Sequence, residues 1–233
     1  LAELEEGDAP TVYEAEKLGS IYGLDPALLM DQPIVLEATD GVSVLALLGE
    51  FQEVSADTKV AILSAATAAR DLVTLKARLG EPDPWSDFVA SFRLSHARGD
   101  ATPFAQGRHY ANALRRKLRL GDRPIVSVRD LVRDAFPSIA VLYADLFDPK
   151  LAGVTFADKV RGPTIVLNLQ GKNCNPGVRR FSLAHELCHV LVDSDRAEPL
   201  ASLSGFLSDG GLDRERRANA FAARLLWWSA TRR

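Results

Sequence analysis

Apolar residues recur at helical spacing over residues 12–22, where Val12, Ala15, Leu18 and Ile21 or Tyr22 form one stripe that Gly23 would stop. Asp25-Pro26 reads as the start of a short helix, with Asp25 as cap and Pro26 at the first helical position. Residues 32–54 are apolar without a clear period and stay unassigned. A long helix is expected over 56–79, carried by Ile62, Ala65, Ala66, Ala69, Leu72, Val73 and Leu79 and ended by Gly80. Glu81-Pro82-Asp83-Pro84 reads as a turn or linker, with a domain boundary near 81–102. Thr102-Pro103 starts the next helix, which runs to about Leu118 with Phe104, Gly107, Ala111, Leu114 and Leu118 on one face. Ser127 caps another, with Val128, Leu131, Val132 and Ala135 as its apolar face.

The period then changes. Ile139–Tyr143, Val154–Phe156 and Thr164–Leu169 read as short strands. Asn175-Pro176 opens a helix to about Val192. Residues 194–212 read as a Ser/Gly/Asp-rich loop, and Asp213 as the cap of a last helix over 214–228. Helices at the front and a small strand cluster behind them imply an α+β chain.

Composition narrows the picture. The chain has 233 residues, 47% apolar and 25% charged, which excludes a mostly disordered protein. No apolar run is long enough to span a membrane, and no secretory leader is visible. Charge is asymmetric: residues 1–60 hold 13 acidic and 2 basic side chains, a balance of −11, and the remainder is +8, giving the net −3. So acidic a block repels phosphate and is a poor nucleic-acid surface. The two cysteines, Cys174 and Cys188, do not make a disulfide scaffold, and a reducing cytoplasmic setting is expected. Cys188 reads as packing, and Trp227-Trp228 as core or interface. The chain begins at Leu1, so the natural N-terminus is expected to lie outside it.

Chemistry concentrates in His185-Glu186-Leu187-Cys188-His189. On a helix, positions i and i+4 share a face, so both imidazoles can reach one metal ion. Zinc suits neutral imidazole, and Glu186 is placed to act on a water rather than on the metal. With 4 histidines and 12 glutamates in 233 residues, chance supplies roughly 0.003 such matches. A catalytic zinc needs a third protein ligand. Asp195 lies six residues after His189, but Val192 stands where a glycine turn would be needed; Asp209 sits in an unsupported loop. Glu215 shares a helical stripe with Ala218, Ala222 and Leu226, faces inward, and is the favoured third ligand.

At these residues the chain resembles the ImmA/IrrE family of zinc metallopeptidases. The resemblance runs over about residues 103–226. It rests on Gly153, the strand Ile165-Val-Leu-Asn168, Arg179 to His189, and Glu215-Arg-Arg-Ala-Asn-Ala-Phe-Ala-Ala-Arg-Leu-Leu226. It implies a zincin-like domain with a small sheet and an active-site helix. His185, His189 and Glu215 would hold Zn2+ and Glu186 would be the general base. The implied substrate is a protein, typically a repressor cut in stress or mobile-element regulation. Cys188 departs from the family's usual glycine, and Trp227-Trp228 from its usual Met-Pro. The stretch from Leu1 through Tyr22-Gly-Leu-Asp-Pro26 to Leu29 resembles the second half of an XRE-type helix-turn-helix domain. The expected division is therefore 1–32 partial helix-turn-helix, 33–101 helical linker and 102–233 metallopeptidase. DNA could be bound only through the half that this sequence lacks, so no DNA-contacting residue is assigned. The alternative is a helix-turn-helix regulator that uses the zincin-like domain as a sensor or protein-binding module.

Overall fold

The computed structural model describes residues 11–22, 54–91, 101–194, 200–205 and 212–227. Helix α1, Val12–Tyr22, forms where expected; of its expected stripe Ala15 is buried, but Val12, in the first turn, is 62% exposed. The short helix expected after Asp25 lies outside the described residues. Helix α2, Ala56–Arg78, starts where the Ser55 hydroxyl accepts from the Thr58 amide at 3.2 Å. Its inward face is Ile62, Ala65, Ala66 and Ala69, as the period implied, but Leu79, expected on the same face, caps the helix and is 68% exposed.

Pro84 does not close a linker but opens helix α3, Pro84–Ser91. The Asp83 carboxylate accepts from the Ser86 amide at 2.9 Å, so Asp-Pro here is a cap followed by a first-turn proline. Trp85 and Phe88 of α3 bury themselves in the core beside the strands and later helices. Helix α4, Pro103–Lys117, begins at the Thr102 cap as expected, but its buried face is Gly107, Ala111, Ala113, Leu114 and Arg115. Phe104 is 59% exposed, in the first turn, where its ring meets the Arg108 guanidinium instead of the core. Helix α5, Val128–Ala135, is capped by the Ser127 hydroxyl on the Asp130 amide.

Four strands follow: β1, Ala140–Ala144; β2, Gly153–Asp158; β3, Gly162–Asn168; and β4, Leu200–Ser204. Their order is β1-β3-β2-β4, with β1 parallel to β3 and both neighbours of β2 antiparallel to it. β4 falls in the stretch expected to be loop. Side-chain alternation splits the sheet into two faces. Val154, Phe156 and Val166 meet Ile62, Ala65 and Ala66 of α2, while Ala157, Ile165 and Leu167 meet the remaining helices. Burial on both faces explains why β2 and β3 show no polar alternation.

After the 3-10 turn Gly171–Cys174 comes helix α6, Pro176–Cys188, then a π turn, His189–Asp193. The last helix, α7, Leu212–Leu226, starts before Asp213, which lies in its first turn. Its buried Ala218 and Ala222 confirm the inward stripe. α7 packs against α4 so closely that a Cβ at Gly107 would stand 2.2 Å from the Arg217 carbonyl oxygen. Buried Arg115 ties the same pair, donating to the Leu225 carbonyl at 2.6 Å and to the Gly121 carbonyl at 2.8 Å. Trp227 is 68% exposed, against the Phe181 ring, rather than in the core; Trp228 lies outside the described residues.

Gly107→Ala should therefore push α4 from α7 and cost about 1–3 kcal/mol by overpacking. Urea unfolding measures this; an unchanged midpoint would mean that the helices separate freely.

Candidate metal centre

The site is assembled at the C-terminal end of α6. Asn175 accepts from the Gly177 and Val178 amides at 2.8 and 3.4 Å, so the helix begins where Pro176 can occupy its first turn. Leu183, Ala184, Leu187 and Cys188 face the core. The turns between them present His185, Glu186 and His189, all buried. The i, i+4 spacing brings the two imidazoles together, with Nε2 atoms 3.1 Å apart.

Helix α7 delivers Glu215 to the same point. Its Oε2 stands 3.2 Å from His185 Nε2, and its Oε1 3.2 Å from His189 Nε2. Among the described residues this is the group that could hold a metal ion. Ligands at zinc's usual ~2.0–2.1 Å in a tetrahedron lie roughly 3.3 Å apart, close to the spacing found.

The outer partners decide which ring nitrogens face inward. His185 Nδ1 lies 3.0 Å from Asn219 Oδ1, and His189 Nδ1 lies 2.7 Å from Asp193 Oδ2. Both oxygens are acceptors, so both Nδ1 atoms carry the proton and both Nε2 atoms present lone pairs. Arg217 holds the other Asp193 oxygen from α7. Two lone pairs and a carboxylate thus converge in a buried space, an arrangement that needs a cation at its centre. These residues fit a zinc-type ion.

Without a metal, a proton fills that need. Burial opposes charge on His189, but hydrogen bonds to Asp193 and Glu215 outweigh it and raise its pKa to about 10. Burial likewise works against the Glu215 carboxylate, and the bonds from His185 and His189 override it, lowering its pKa to about 2. Burial pushes the Cys188 thiol up, which keeps it a neutral packing residue rather than a thiolate ligand.

Glu186 is held differently. Thr155 of β2 donates to its Oε2 at 2.7 Å, whereas its Oε1 is buried without a hydrogen-bond partner. Gly153, on the same face of β2, leaves room for that carboxylate: a Cβ there would stand 3.2 Å from Oε1. A cavity of about 180 Å3 opens over His185, Glu186 and Glu215, with Ala152, Ser204 and Gly205 on its opposite wall.

Thr155, Asp193, Arg217 and Asn219 carried no role in the sequence reading. Two had a signal: Asp193 stands four residues after His189, and Asn219 four after Glu215. Asp195 and Asp209, the other candidate ligands, lie outside the described residues.

Two histidines and a carboxylate around a shared point, with a second carboxylate beside it, are a donor set that could hold a metal ion in a hydrolytic site. The comparison with family models agrees: residues 137–227 match the peptidase M78 family, described as the IrrE N-terminal-like domain. This match, spanning the sheet, α6 and α7, supports the ImmA/IrrE family. No curated protein and no solved structure matches the chain. Among the described residues no helix is long and apolar enough to cross a membrane.

The metal-free site has a pH signature. His189, raised above 6.5, contributes stability that is complete below that pH and lost as pH climbs through about 10. Glu215, held below 4.5, contributes above that pH and loses it as pH falls towards about 2. In chelator, the stability gap between wild type and His189→Gln should be widest between pH 4.5 and 6.5 and shrink towards pH 10. Urea unfolding across that range measures it; a gap that widens above pH 7 contradicts the protonated state.

Proposed function

We propose that this protein is a zinc-dependent endopeptidase, with His185, His189 and Glu215 as metal ligands and Glu186 as general base. The observation that carries this reading is the asymmetry of Glu186. One oxygen is anchored by Thr155, and the other is left without a partner beside the converged ligands. A structural carboxylate would have both oxygens bonded.

Zinc in such a site lowers the pKa of a water and polarises a carbonyl. Glu186 Oε1 takes the proton of the attacking water as its oxygen bonds to the peptide carbon. It then returns that proton to the amine nitrogen as the C–N bond breaks. Asp193 and Asn219 hold the imidazoles in the tautomer that keeps their inward lone pairs available. The substrate is a protein, and by the family resemblance a repressor-like partner in stress or mobile-element regulation, in the cytoplasm.

Glu186→Gln tests this, because it keeps the shape and the metal ligands but cannot accept a proton. Zinc content should stay at one per chain, and hydrolysis should fall roughly a hundred- to ten-thousand-fold. Zinc-loaded wild type and variant are incubated with cytoplasmic extract and new protein N-termini are mapped. Termini that appear only with wild type support the peptidase; identical profiles overturn it.

A further inference from the structure

A second cavity, of about 490 Å3, lies away from the metal centre between the starts of α5 and α6 and the end of β1. Three arginines line it: Arg129, Arg179 and Arg180. None has a carboxylate partner among the described residues. Arg129 lies over the Tyr143 ring, 5.2 Å from its centroid. Arg179 donates Nε to the Asn173 carbonyl at 3.0 Å, which fixes the side chain without neutralising it. The nearby carboxylates are engaged elsewhere: Asp130 pairs with Arg133 at 2.7 Å, and Asp145 accepts from Gln170 at 2.7 Å. Three like charges gathered around one concavity repel one another unless an anion joins them.

The geometry points to a binding site for a small phosphate monoester. Guanidinium forks match phosphate oxygens, and the positive ends of two helices add to the field. The wall beside the arginines is apolar, with Val126 87% and Leu169 40% exposed, and buried Val128 below. Such exposed aliphatic groups suit the organic part of an ester rather than a bare ion. The volume lies within the ~300–1,000 Å3 of small-ligand pockets. Three arginines gathered around one concavity, rather than strung along a groove, in a chain of net charge −3, favour a small ligand over a nucleic-acid track.

Calorimetric titration of the full chain with phenyl phosphate, inorganic phosphate and phenol tests this, in zinc-loaded protein and in metal-free His185→Ala. Phenyl phosphate should bind one per chain in both, at least about tenfold more tightly than inorganic phosphate, and phenol should not bind. Arg129→Ala and Arg180→Ala should each weaken it at least about fivefold. Val126→Glu, at an exposed position that cannot unfold the core, should abolish binding by placing a carboxylate at the rim. Lack of saturable binding, or binding indifferent to these variants, overturns the proposal. Binding lost only in the His185→Ala protein also overturns it, by placing the anion at the metal centre. A short DNA duplex that binds more tightly than phenyl phosphate, with the same arginine dependence, overturns the small-ligand reading. None of these outcomes depends on peptidase activity.

Discussion

Two imidazole nitrogens and a carboxylate, held 3.1–3.2 Å from one another out of water, cannot share that space without a cation between them. The rest of the architecture serves to keep them there. The π turn after α6 places Asp193 under His189, and Arg217 reaches across from α7 to hold Asp193. Glu215 and Asn219, one turn apart on α7, approach His185 from the same side. His185 is thus oriented by Asn219 from the helix that carries Glu215, and His189 by Asp193, which Arg217 of that same helix holds, so the site and the packing of α6 on α7 stand or fall together.

Small residues make that packing possible. Gly107 lets the backbone of α4 touch α7, and Ala218 and Ala222 give α7 a face without bulk. On the other side, β2 is pinned between β3 and β4, so Thr155 and Gly153 meet Glu186 at a fixed height. The Glu186 carboxylate is therefore steadied by the sheet, whereas His185, His189 and Glu215 are held by groups of α6, α7 and the turn between them. In the proposed reaction this separation lets a proton move on Glu186 while the ligand geometry stays unchanged.

Much of this was legible in the chain. The histidine pair follows from helical spacing alone, and the inward phase of Glu215 follows from Ala218, Ala222 and Leu226 on its stripe. The buried strands were legible as apolar runs, because both faces of β2 and β3 are covered. β4 was hidden because a short edge strand, Leu-Ala-Ser-Leu-Ser, has the composition of a loop and gains its pairing only from β2. Helix α3 was hidden because Asp83-Pro84 has the same composition whether it makes a turn or a cap. Phe104 matched the helix period yet sits in the first turn, where α7 does not cover it. Thr155 could not be found at all: its role depends on a contact between positions 31 apart, which no local spacing encodes.

X-ray absorption at the zinc edge of the zinc-loaded protein tests the central claim most directly. The account predicts two imidazole nitrogens and oxygen donors at about 2.0–2.1 Å, with no sulfur neighbour. A sulfur shell near ~2.3 Å, which would bring Cys188 or Cys174 to the metal, or a single histidine, would contradict it.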